Sequence, residues 1–144
     1  RLEIPRFTDA RHVNGYVPSD GVLDAARSTP LWLATQRRDL DPGRGAANAA
    51  ALERLVRDLR GRGLRVALLK FPVHASYREQ RPAHWAALLD NALRRAQAAG
   101  GPGVVGVDWE ADPAFGDADF QDAVHLNSTG AAALTARLAE RLAE

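Results

Sequence analysis

From Asn48 to about Arg60 the apolar residues Leu52, Leu55, Val56 and Leu59 recur at i, i+3, i+4 and i+7. Arg54, Arg57, Asp58 and Arg60 fall between them. That spacing lays one apolar stripe along a helix, which Gly61 or Gly63 ends. The run LRVALLKFP (64–72) follows at once and is closed by Pro72. An unbroken apolar run of this length predicts a strand buried on both faces of a parallel sheet. The helical pattern returns over 82–99, where Trp85, Leu88, Leu89, Ala92, Leu93 and Ala96 form a second stripe before Gly100-Gly101. VVGVDW (104–109) is the next predicted strand, 110–127 a polar loop, and about 128–143 a last helix with Leu134, Leu138 and Leu142 on one face. Asn127 or Ser128 is placed to cap it.

The first third of the chain carries no sustained period. Pro5, Gly15, Pro18, Gly21 and Pro30 break residues 1–30 into loop and short elements, with a small hairpin expected at Asn14-Gly15. LWLATQ (31–36) reads as a short strand, and 37–45 as a polar loop turning at Asp41-Pro42-Gly43. Residues 1–144 thus read as one domain, with an irregular segment at 1–45 and a clear α/β portion at 46–144. Helix, strand, helix, strand, loop, helix is the α/β rhythm, with right-handed crossovers and a parallel sheet. Two strands are secure and open sheets commonly have five, so the pattern is that of the C-terminal part of a larger domain. The chain opens at Arg1 and contains no methionine, which fits a processed chain or a piece of a longer one.

Composition removes several classes. Hydrophobic residues make up 46% and the net charge is +1, so the chain has the material for a core and is not a disordered polyelectrolyte. The balance of 19 basic and 18 acidic residues leaves no electrostatic footprint for nucleic acid. No apolar run reaches a membrane span, and no signal-peptide core is present. With no cysteine there is neither a disulfide framework nor a thiol nucleophile.

Ligands of open α/β sheets bind at the carboxyl ends of the strands, which directs attention to 71–80 and 110–130. In the second loop Asp122 and His125 are three residues apart, close enough to share a face. A carboxylate there can accept the imidazole N–H and leave the other ring nitrogen to take a proton from a nucleophile. An exposed Asp and His near a helix start is the plainer reading of the same spacing. Asp112, Asp117, Asp119, Asp122 and His125 are also hard metal ligands, but they lack the spacing of a calcium-binding loop and read as a solvated acidic loop, with no metal expected. Gly100–Gly103 precedes a strand, whereas a dinucleotide loop must follow one.

The segment Phe120-x-Asp122-x-x-His125-Leu126-Asn127-x-x-Gly130, running into an amphipathic helix, resembles the last block of the SGNH (GDSL-like) hydrolase superfamily. The preceding helix, Arg62-Gly63, strand and Pro72-Val73-His74 resemble its branch of alginate and lipoteichoic-acid modifying proteins. The resemblance covers about residues 48–144. Joined to the α/β rhythm, it implies a flavodoxin-like three-layer α/β/α domain with a parallel sheet. It further implies a serine-type esterase or O-acyltransferase acting on acyl (acetyl) esters, in which His125 is the base and Asp122 its orienter. No cofactor is required. A cell-envelope polysaccharide is the substrate the branch suggests, and an extracytoplasmic location follows with it.

The superfamily's nucleophile lies in a Gly-x-Ser block after the first strand, and none of Ser19, Ser28, Ser76 and Ser128 sits in one. Ser19 and Ser28 read as turn residues and Ser128 as a cap. Ser76 follows a strand but not at the superfamily's position. The oxyanion donors have no secure counterpart, Asn14-Gly15 and Asn48 being the candidates. A segment upstream of Arg1, or a partner chain, is expected to supply the nucleophile. His74 and Tyr77, with Arg78 beside them, are candidates for contacting substrate. The alternative is a catalytically inactive module of this shape that binds a carbohydrate or a protein.

Overall fold

The computed structural model describes residues 20–39 and 42–143. In chain order these form α1 (Ala25–Asp39), α2 (Pro42–Gly61), β1 (Val66–Lys70), α3 (Ala75–Gln80), α4 (Ala83–Gly100), β2 (Val104–Asp108) and α5 (Ser128–Ala143). Single 3-10 turns at Gly101–Gly103 and Asp117–Asp119 flank β2. No described helix is long and apolar enough to cross a membrane.

The two apolar runs are parallel neighbours, with Val66 opposite Val104 and Lys70 opposite Asp108. Parallel pairing needs a long crossover, which α3 and α4 supply. Helices α2 and α4 pack on each other, and the core they close with the sheet is centred on Val56, Ala96 and Val104, with Leu52, Val66 and Leu68 against it. All six belong to the predicted stripes and strands, whereas Leu55, Leu88 and Leu89 of the same stripes remain exposed. On the other side of the sheet Ala67, Val105 and Val107 line a cavity of about 390 Å³ together with Arg141 and Leu142 of the last turn of α5.

The protein is therefore an α/β chain with a small parallel sheet, two-stranded among the described residues. The N-terminal expectations need correction. Residues 31–36 are not a strand, and 25–30 are not loop: both lie within α1. Asp24 starts this helix by accepting the backbone N–H of Arg27 at 3.1 Å, a capping contact. Pro30 lies inside it and cannot donate to the carbonyl four residues back, a defect that reads as a break in sequence. Tertiary bonds to α3 offset the defect, as Thr29 and Gln36 of α1 reach Ser76 and Tyr77. The loop expected over 37–45 shrinks likewise, since α1 runs to Asp39 and α2 begins at Pro42, the first-position proline that helices favour. The hairpin expected at Asn14-Gly15 and the turn at Ser19 lie outside the described residues.

Gly100 ends α4 where α2, α4 and β2 converge. A Cβ there would collide with the side chains of Val104 and Val56 and crowd Arg60. Gly100→Ala is expected to destabilise the fold by about 1–3 kcal/mol through overpacking. The check is a lower urea midpoint at unchanged slope.

Candidate active site

Parallel strands deliver their C-terminal ends to the same side, and here those ends are tied by charge. Lys70, 8% exposed at the end of β1, directs its Nζ to Asp90 at 2.8 Å, Glu110 at 2.9 Å and Asp108 at 3.2 Å. Glu110, just past β2, is also gripped by both guanidinium nitrogens of Arg81. Burial would raise the Glu110 carboxyl, but the bonds from Arg81 and Lys70 outweigh it and hold it below its ordinary value. The backbone completes the tie. Trp109 N–H donates to Lys70 at 3.0 Å, and Val73 N–H to the Glu110 carbonyl at 3.2 Å. The segments after the two strands are thereby held against each other.

The loop between β2 and α5 closes on itself around Phe120, which is 1% exposed. Phe120 forms an isolated antiparallel bridge with Leu126, and Gln121 N–H donates to the His125 carbonyl at 3.0 Å. Asn127, itself buried, caps α5 by accepting Gly130 N–H at 3.1 Å and donates through Nδ2 to the Ala118 carbonyl at 2.7 Å. Its backbone N–H reaches the Asp119 carbonyl at 2.8 Å. Gly130 has no side chain because the Asp119 carbonyl occupies the space a Cβ would take. Phe120, Leu126, Asn127 and Gly130 of the 120–130 motif thus each have a local structural task.

Asp122 Oδ1 accepts the backbone N–H groups of Val124 at 2.9 Å and His125 at 2.8 Å. Its Oδ2 lies 2.9 Å from His125 Nδ1. An ionised carboxylate can only accept, so Nδ1 carries the proton and Nε2 of the neutral ring is the basic nitrogen. Burial would raise the Asp122 carboxyl, but the Val124 N–H, the His125 ring and the His125 N–H together hold it below its ordinary value. The His125 ring is half exposed, and it meets Trp32 of α1 edge-on with centroids 4.9 Å apart.

His74 lies alongside, its backbone N–H donating to the Ala123 carbonyl at 3.1 Å. The side chain is 12% exposed, rests against Phe120 and caps α3, where Nδ1 accepts Ser76 N–H at 3.2 Å. The Ser76 hydroxyl is 2.7 Å from Nδ1, and Asp117 is 2.9 Å from Nε2. Tyr77 is placed differently: it is buried, with its hydroxyl on Gln36 and the Arg81 guanidinium near its ring. Burial pushes its phenol up. Arg78 donates to the Glu110 carbonyl at 3.2 Å.

The remaining serines and acids have other places. Ser28 lies in α1 and Ser128 begins α5, while Asn48 is exposed on α2. Asp112 pairs with Arg137 at 2.7 Å, and Asp119 accepts Gly116 N–H at 2.9 Å. Among the described residues no three metal-ligating side chains gather in one place. Thr29, Trp32 and Ser76 belong to the site's surroundings, where the sequence predicts turn, strand and loop; Asp117 is a solvent-exposed acid as expected, and its carboxylate also meets His74. Comparisons with protein-family models, curated proteins and solved structures gave no match to this chain.

The sign of the Asp122 shift makes a testable statement. A carboxyl lowered on folding contributes stability that is fully present above its unfolded value, about 3.9, and is lost as pH falls through the lower folded value. Carbon-detected NMR titration should place the Asp122 midpoint below about 3.9. In His125→Ala it should move up, because the ring bond and charge are gone.

Proposed function

We propose that this chain carries the base of a serine-type esterase or O-acyltransferase, with His125 as general base and Asp122 as the carboxylate that orients it. The observation that supports this reading is the Asp122–His125 geometry. One carboxylate oxygen is spent on two backbone N–H groups, which lock the loop, and the other holds Nδ1–H. The imidazole is then fixed in the tautomer that presents a basic Nε2 on a half-exposed ring.

In the proposed reaction Nε2 takes the proton of an attacking hydroxyl as its oxygen bonds to the acyl carbon. The imidazolium, stabilised by Asp122, returns that proton to the departing alkoxide. The attacking serine comes from a segment outside the described residues or from a partner chain. Water or a second hydroxyl then takes the acyl group by the same route. The chemistry needs no cofactor. The SGNH-like resemblance of the 120–130 motif supports an acyl ester as substrate, and that of the Arg62-Gly63, strand and Pro72-Val73-His74 block to the alginate and lipoteichoic-acid modifying branch supports acetyl groups on a cell-envelope polysaccharide and an extracytoplasmic setting. On this reading β1 and β2 are two strands of a flavodoxin-like three-layer sheet, and His74 borders the acyl site.

The test is hydrolysis of a small activated acetyl ester by the longest natural form of the protein. His125→Ala is expected to lower kcat/KM by roughly 10²–10⁴-fold, the usual contribution of a positioned base, with the circular dichroism spectrum unchanged. A folded His125→Ala that keeps its turnover would remove His125 from the mechanism.

A further inference from the structure

A second hydrogen-bond chain lies beside Asp122 and His125 and contains neither of them. It runs from Asp117 through His74 to Ser76 and ends on Thr29 of α1. Nδ1 of His74 accepts the backbone N–H of Ser76, so this nitrogen bears the lone pair. The ring proton of the neutral form therefore sits on Nε2, 2.9 Å from the Asp117 carboxylate. The Ser76 hydroxyl stands 2.7 Å from the same lone pair. Thr29, wholly buried, is hydrogen-bonded to the same hydroxyl at 2.7 Å. Ser76 itself is only partly buried.

Capping α3 requires only that Nδ1 accept a backbone N–H. It does not require a hydroxyl on the same lone pair, nor a carboxylate on the opposite nitrogen. Serine, imidazole and carboxylate in that order, with the imidazole tautomer set by the backbone, are the elements of an activated nucleophile. We propose that Ser76 is a nucleophilic serine in its own right, activated by His74, and that it accepts an acyl group from an ester. This goes beyond the role proposed for His125, since it puts an acyl-enzyme within the chain itself.

The step balances within the relay. Ser76 Oγ bonds to the acyl carbon as its proton passes to His74 Nδ1, which gives up the Ser76 backbone N–H it had accepted, and Asp117 faces the imidazolium through Nε2–H. The bond from the acyl carbon to the alkoxy oxygen breaks, and that oxygen leaves with the proton from Nδ1. Water reverses the sequence and frees Ser76.

The experiment treats the full chain with a fluorophosphonate, which bonds phosphorus to a nucleophilic serine as fluoride departs, and maps the adduct by peptide mass spectrometry. The adduct is expected on Ser76 and absent in Ser76→Ala. His74→Asn keeps an acceptor able to cap α3 but has no base, and its labelling rate should fall by roughly 10²-fold or more. Circular dichroism of both variants verifies the fold. A folded His74→Asn still labelled on Ser76 at the normal rate would overturn the relay. An adduct confined to another serine and dependent on His125 would overturn this inference while leaving the proposed function standing. No adduct on the folded chain would also overturn it, and the ester assay of His125→Ala decides the other reading separately.

Discussion

The arrangement depends on one carboxylate. Glu110 leaves the end of β2 and is held by Arg81 from beyond α3 and by Lys70 from the end of β1. Three segments far apart in sequence therefore converge on a group that is one-tenth exposed. A buried carboxylate is costly unless its partners are well placed, and the two cations are what keep it ionised. Its backbone carbonyl adds Val73 N–H and the Arg78 guanidinium. With Val73 so anchored, His74 comes within one hydrogen bond of Ala123, and the two Asp–His pairs become neighbours.

Helix α1 acts as the wall behind both pairs. Thr29, Trp32 and Gln36 stand at i, i+3 and i+7, one face of a helix. Thr29 meets Ser76, Trp32 meets His125 and Gln36 meets Tyr77. The two Asp–His pairs are thus referenced to one helix about a turn apart. That face is two-thirds polar, so it makes no hydrophobic stripe, and Pro30 lies inside the helix. Both facts hid the helix from a reading of apolar periodicity.

The loop from Phe120 to Gly130 shows how much of a site local sequence can carry. Asp122 and His125 meet through bonds spanning three residues or fewer, and Asn127 caps α5 across three. Such contacts need no tertiary partner, which is why this pair and this cap were legible. Ser76 and Asp117 were not. Asp117 reaches His74 across 43 positions, and Ser76 reaches Thr29 across 47. Neither separation leaves a signature in spacing; only the His74–Ser76 contact, two residues apart, is local.

Helices α2, α4 and α5 and strands β1 and β2 were determined by the sequence alone, because periods of 3.6 residues and unbroken apolar runs are local properties tied to burial. The Asp122–His125 pair was determined in the same way. Tertiary structure alone decided that α1 is a helix, that the β1 and β2 exits are locked by Glu110, and that His74 sits between Ser76 and Asp117. The physical reason is common to all three. Each depends on polar groups that find partners only after distant segments have docked, and hydrogen bonds and ion pairs of that kind impose no period on the chain that makes them.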